Sequence, residues 1–296
     1  MSILTRPQGS PERVLSVVAA LAALGGKAPR EDLSAMLNPG YVKNGGEIRA
    51  APSFGRDIFG AATALGLMEI DSKNAWLDLA ATPTTAVGLS DFVHDRFRGL
   101  PVADSDNVML ETYAWIAVES DRQGDLGWLF DLSGDEFSDR VNEALLGQDE
   151  DGKLMNPTKA VAWRRWLIFL GLLIPALDGL PFPLPSARIH RELERGAIGS
   201  GKELSAEAFV TQIAQRQPYL DRGRLFQQVS ERIGHRANPR QLSPLLSGAL
   251  RDLHDAGTIE LMLSGDSAGA IELSSDCPHK FKSFDMVLYK SDELSQ

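Results

Sequence analysis

The stretch AVAWRRWLIFLGLLIPALDG, Ala160–Gly179, decides how the chain is read. Two arginines stand between two tryptophans, and an uncharged run follows from Trp166 to Leu177. A membrane-spanning helix needs about 20 consecutive apolar residues. This run is shorter, Arg164 and Arg165 stand at its start, and Pro175 ends any helix because it lacks an amide donor. The stretch therefore reads as a helix that passes into a strand inside a soluble core. Asn156 is placed to cap that helix, Pro157 takes its first position, and Val161, Trp163, Ile168, Leu170 and Leu172 form its apolar face. Gly171 ends it, and LLIP, ALDG and LPFPL then read as an irregular hairpin.

The same layout appears on either side. In SFGRDIFGAATALGLMEIDSKNAWLDLA, Phe54, Ile58, Ala61, Ala62 and Leu65 recur at helical spacing, Gly66 stops the helix, and LMEID, SKN and AWLDLA read as strand, turn and strand. In NPRQLSPLLSGALRDLHDAGTIELMLSGDSAGAIELSSD the stripe is Leu245, Leu246, Leu250 and Leu253, with Gly257 as the stop. TIELML and AIELSS are expected to pair across SGDSAG. A glycine suits all three stops because the chain must reverse there through a left-handed backbone conformation.

Further helices precede each of these. SPERVLSVVAALAALGG begins with Ser10 and Pro11, carries Val14, Val17, Val18 and Leu21 on one face, and is followed by a short helix at 30–37. Helices are predicted at 107–120 and 135–146 in the middle of the chain, and at 205–216 and 222–233 toward its end. Helix, helix, helix, hairpin, three times over, resembles the winged helix-turn-helix family. The resemblance implies a mainly α fold with small β-hairpins (α+β), built as three tandem winged-helix units. Their expected bounds are 1–85, 106–186 and 205–276, with helical linker regions at 86–105 and 187–204 and a tail at 277–296.

Composition narrows the chemistry. The chain has 296 residues and a net charge of −10, which disfavours non-specific coating of nucleic acid. Its one cysteine, Cys277, excludes an internal disulfide and a Cys-x-x-Cys knuckle, and fits a reducing cytoplasm. The first residues show no secretory signal pattern. The five histidines form no His-x-x-x-His pair. Cys277 and His279 supply only two metal ligands where a closed zinc site needs four. GAIGSGKELS, 196–205, lacks the spacing of a phosphate loop. No catalytic residue, metal or cofactor is expected, and the chain reads as a non-enzyme.

Charge asymmetry is the remaining signal. Residues 222–251 hold six arginines and a single acid, Glu231. Arg236 and Arg240 flank the turn into the last glycine-ended helix, where a winged helix begins to read DNA. Arg224, Arg232, Arg236, Arg240 and Arg251 are therefore candidate nucleic-acid contacts, joined by Lys43, Arg56 and Lys73 in the first unit. Two readings stand. An exposed, contiguous set would serve DNA, whereas a set buried against carboxylates would serve packing or a protein partner. Trp163 and Trp166 sit beside a leucine-rich stripe and read as core rather than as base-stacking platforms.

Tandem winged helices without catalytic groups point to a DNA-binding or scaffolding subunit, with DNA and the protein subunits of a larger complex as partners. The alternative is a protein–protein adaptor, because acidic tandem winged-helix chains resemble the kite subunits of SMC-type ATPase complexes. The opening ILTRPQGSPERVLSVVAAL, with Pro7-Gln8 ahead of the first helix, resembles the start of the DpdG family. That family belongs to bacterial clusters that insert 7-deazaguanine bases into DNA and restrict unmodified DNA. The resemblance implies a role in antiviral DNA discrimination beside ATPase or nuclease partners, and it carries over no catalytic residue.

Overall fold

The computed structural model describes residues 2–37, 41–42, 48–49, 52–101, 103–146, 153–176, 181–264 and 269–290. They are mainly helical, with small antiparallel sheets of two or three strands. No helix among them is long and apolar enough to cross a membrane. They form two compact units, 1–107 with 158–170, and 108–157 with 171–296.

The first unit opens with α1 (Pro11–Ala23), β1 (Lys27–Pro29) and α2 (Arg30–Leu37). After two short strands, β2 (Tyr41–Val42) and β3 (Ile48–Arg49), come α3 (Pro52–Ala64), β4 (Glu69–Ile70) and β5 (Asn74–Trp76). The expected stripe of α1 is fully buried at Val14, Val17, Val18 and Leu21. It packs on α2 and α3, and α3 turns Ile58, Ala61 and Ala62 inward. β1, β5 and β4 form one sheet in that order, and β2 and β3 pair separately. Asp71 tightens the β4–β5 turn by accepting from the Lys73 and Asn74 amides at 2.7 and 2.6 Å. A further helix, α4 (Ala86–Arg98), sends Arg96 to the Ala64 carbonyl at 2.8 Å and so caps the end of α3.

The second unit is centred on α5 (Val108–Gln123), which is buried along the whole of 108–120. Burial on every face favours hydrogen bonding of its polar groups. Tyr113 donates to the Leu172 carbonyl at 2.8 Å, and Ser120 donates to the Ile116 carbonyl at 2.6 Å. Next comes α6 (Gly134–Leu145), opened by a reciprocal cap between Ser133 and Glu136.

The quoted stretch then forms α7 (Pro157–Phe169) and β6 (Leu173–Ile174), which pairs with β7 (Phe182–Pro183). Trp163 and Trp166 are 2% and 1% exposed, so both are core residues. Val161 departs from expectation at 51% exposed, and Ile168 is half-buried. The helix turns Ala160, Trp163, Trp166 and Leu167 inward instead.

The chain continues through α8 (Ser186–Glu192), β8 (Glu203–Ser205), α9 (Ala206–Arg216), α10 (Arg224–Arg232) and α11 (Pro244–Asp255). It closes with β9 (Ile259–Met262), β10 (Ile271–Glu272), β11 (Ser283–Phe284) and β12 (Met286–Tyr289). Gly66, Gly171 and Gly257 have φ of +70°, +74° and +76°, so each of the three stops uses the left-handed conformation glycine permits.

Three expectations need correction. The strands of TIELML and AIELSS do not pair with each other: β9 pairs with β12, and β10 pairs with β11. The sheet order is β8-β12-β9, so the segment 277–296, expected to be a tail, supplies a central strand. The reason lies in side-chain alternation. Val287 and Tyr289 on β12 turn into the core beside Leu261 and Ile259 on β9, in register with it over four residues. The middle stretch 106–186 is also divided, since 158–170 belongs to the first unit and the rest to the second.

Candidate nucleic-acid interface

The arginine-rich segment is built on α10 and on the loop that follows it. Leu225, Phe226 and Val229 hold one face of α10 against the core, which leaves Arg224 and Arg232 exposed at its two ends. Arg232 lies in the last turn, where a cation complements the helix dipole, and donates to the Leu145 carbonyl at 2.9 Å. Gly234, at φ +69°, turns the chain away. His235 pins this turn to the end of α5 through Asp121, with Nε2 2.6 Å from Oδ2.

The loop from Arg236 to Gln241 is exposed at every residue. Its backbone is nonetheless fixed. Asn238 accepts from the Arg240 amide at 3.0 Å, the Glu272 amide donates to the Arg240 carbonyl at 2.8 Å, and the Leu242 amide donates to the Glu272 carbonyl at 2.9 Å. Arg236 and Arg240 therefore project from an anchored loop. Neither side chain has an ion-pair partner among the described residues.

The loop delivers the chain to Ser243, which caps α11 by accepting from the Leu246 amide at 3.3 Å. Asp221 supports that cap from beneath. Burial pushes its carboxyl up to about 6, with the charge of Asp121 adding to the effect, although the hydrogen bonds from Ser243 work the other way.

Not every candidate belongs to this surface. Arg251 is 4% exposed, and its guanidinium donates to the Ser274 and Phe281 carbonyls at 2.7 and 3.3 Å, so it ties α11 to the segments around β10 and β11. It is a packing residue. Its helix presents it inward because Leu250 and Leu253 beside it are core positions. Arg222 is held by Glu207 at 2.7 Å and donates to the Pro239 carbonyl at 2.6 Å. In the first unit Arg56 is exposed on α3 and Lys73 is exposed in the β4–β5 turn. Lys43 lies outside the described residues.

The structure also places two arginines that the sequence did not single out. Arg122 on α5 and Arg140 on α6 share a cavity of about 800 Å³ with Arg232. They are distant in sequence, so only the packing of α5, α6 and α10 brings them together. Glu119 forms part of the same wall. Burial works against its charge, but two hydrogen bonds from Arg122, at 2.8 and 2.6 Å, and one from Gln123 outweigh it and hold its carboxyl below the usual range.

The sequence profile of the DpdG-like family matches residues 1–267. The chain belongs to the DpdG-like family. The match spans all of the exposed arginines and ends ahead of β10–β12 in this DpdG-like chain. No characterised protein and no solved structure matched it.

Proposed function

We propose that this DpdG-like chain is a non-enzymatic DNA-binding subunit of a bacterial system that modifies DNA with 7-deazaguanine bases and restricts DNA lacking them. The observation that carries the reading is the pair Arg236 and Arg240, exposed and without ion-pair partners among the described residues, on the anchored loop entering α11. Guanidinium groups at such a position reach phosphates and guanine edges. The element order supports a winged-helix reading for residues 11–76, and for 186–289 with α8 as the first helix and α10 as an insertion. In both, the sheet order places the last strand between the other two. Arg224 and Arg232 extend the basic surface of the second unit, and Arg56 and Lys73 offer a smaller one in the first. Cytoplasmic partners of ATPase or nuclease type would supply the chemistry. Fluorescence anisotropy with labelled duplex, titrated at low and physiological salt, tests the reading. Binding that persists at physiological salt supports it, and no binding even at low salt overturns it.

A second reading, a kite-like adaptor for an SMC-type ATPase, is favoured by a different observation. Phe130 and Phe182 stack in parallel with centroids 5.7 Å apart while remaining 42% and 39% exposed. Ile174, the cross-strand partner of Phe182, is 45% exposed. An exposed apolar cluster of this kind suits a protein partner. Association with SMC-type subunits without DNA retention would mark this reading as the better one.

A further inference from the structure

Beside the arginine loop lies a cavity of about 650 Å³, walled by α10, the turn before it and the loop 237–242. That size is typical of small-molecule sites. Two features converge on it. Arg222, on its wall, has φ +65° and is the only non-glycine residue among the described ones in the left-handed region. A side chain there is strained, and such strain persists where surrounding structure over-determines it. Ser230 lines this space, is 8% exposed, and its hydroxyl has no hydrogen-bond partner among the described residues. An unpaired buried hydroxyl is costly and calls for a ligand or a function. Asp221 forms part of the wall and is buried.

The chemistry of the walls selects the ligand. Glu207, Asp221 and Glu231 stand against Arg222 and Arg240, so a bare phosphate would meet more carboxyl groups than guanidiniums. Phe226, Pro239 and Leu242 supply apolar surface, and the side-chain amides of Asn238 and Gln241 offer both donors and acceptors. A planar, uncharged group with an apolar face and a hydrogen-bonding edge fits this combination. Arg236 and Arg240 stand exposed on the same loop, where a sugar-phosphate would emerge.

We propose that this cavity binds a nucleobase, either from a free nucleoside or turned out of a DNA helix. The inference rests on the DNA reading only for the second source. A base turned out of the stack is recognised by hydrogen bonds to its edge and contacts to its faces, and a mismatched pair yields its base more easily.

Calorimetric titration of the full chain with guanosine, adenosine, cytidine and thymidine tests the cavity. Matched and singly mismatched duplexes then test the source. At least one nucleoside should bind saturably, and Gln241→Ala should weaken it about tenfold, the equivalent of one lost hydrogen bond. Ser230→Ala should also weaken it while leaving the melting temperature unchanged or raised, because it removes an unpaired hydroxyl. Tighter binding of the mismatched duplex assigns the base to DNA. Nucleoside binding with no duplex preference assigns it to a free nucleoside. Nucleoside binding without any duplex binding keeps the cavity and overturns the DNA reading. Duplex binding with neither nucleoside binding nor mismatch preference overturns the cavity and keeps the DNA reading. Nucleoside binding untouched by both substitutions also overturns the cavity.

Discussion

Both carboxylate oxygens of Asp221 are engaged by Ser243, one accepting from its amide and the other from its hydroxyl, each at 2.6 Å. This links the turn before α10 to the start of α11 beneath the exposed arginine loop. The two donors favour the charged carboxylate, but burial outweighs them and pushes the group up to about 6.

The consequence is a pH dependence of unusual sign for an aspartate. A carboxyl whose folded value lies above its unfolded value of about 3.9 binds more protons folded than unfolded between the two. Its contribution to stability is therefore greatest in acid and declines as pH rises from about 4 through 6, by roughly 3 kcal/mol in all. Asp221→Asn keeps a partner for both Ser243 groups and removes the titration. Urea denaturation at pH 4.5 and 7.5 should show the variant gaining on the native chain as pH rises. Parallel pH profiles for the two would refute this account.

Arg251 separates packing from binding. Its buried guanidinium donates to the Ser274 and Phe281 carbonyls and stands 3.8 Å from the Asp276 carboxylate. Arg251→Ala should cost about 2–4 kcal/mol, because it leaves buried acceptors without donors. Affinity for DNA per folded molecule should be unchanged. A loss of DNA affinity with stability intact would return Arg251 to the interface.

Gly257 tests the backbone argument in isolation. A Cβ added there meets nothing within 4 Å, so the only penalty is its φ of +76°. Gly257→Ala should cost about 1–2 kcal/mol, and Gly257→Asn less, since asparagine tolerates the left-handed region. At Gly171 an added Cβ would also lie 3.4 Å from Ala187 and from the Arg188 backbone. That is ordinary contact distance, so Gly171→Ala should cost about as much as Gly257→Ala, and a negligible cost at both in thermal melts would contradict the reading.

Deleting residues 277–296 tests the corrected topology. A dispensable tail would leave the cooperative transition of the second unit in place. Because β12 joins β8 to β9 and buries Val287 and Tyr289, the deletion should abolish that transition, as followed by circular dichroism. A truncated chain that melts as sharply as the full one would restore the hairpin expected between 258–263 and 270–275.

The helices and their stops were legible because they are local. The stripe Val14, Val17, Val18, Leu21 and the stops at Gly66, Gly171 and Gly257 follow from a 3.6-residue period and from one conformational requirement. Strand pairing is not local. MVLY at 286–289 is flanked by Asp285 and Lys290 and reads as a charged tail until the sheet shows it between β8 and β9. The same limit governed the arginines. Sequence places Arg251 in a basic cluster but cannot show that α11 turns it toward the Ser274 carbonyl. Nor does any sequence signal join Arg122, Arg140 and Arg232, which lie on three separate helices.

The exposed pair on the loop gives the sharpest test of DNA contact. Arg236 and Arg240 project from a backbone held by Asn238 and Glu272, so replacing their side chains should leave the fold intact. Each phosphate neutralised by a bound cation releases counterions and adds about 0.9 to the slope of log affinity against log salt. Arg236→Glu with Arg240→Glu should therefore weaken duplex binding steeply and lower that slope by about 2 if each arginine meets one phosphate. Arg56→Glu with Lys73→Glu applies the same measurement to the first unit. A smaller change there would place the main contact on the second unit. If neither pair alters affinity or slope, DNA binding by these residues is ruled out, and the exposed Phe130–Phe182 cluster becomes the surface to pursue.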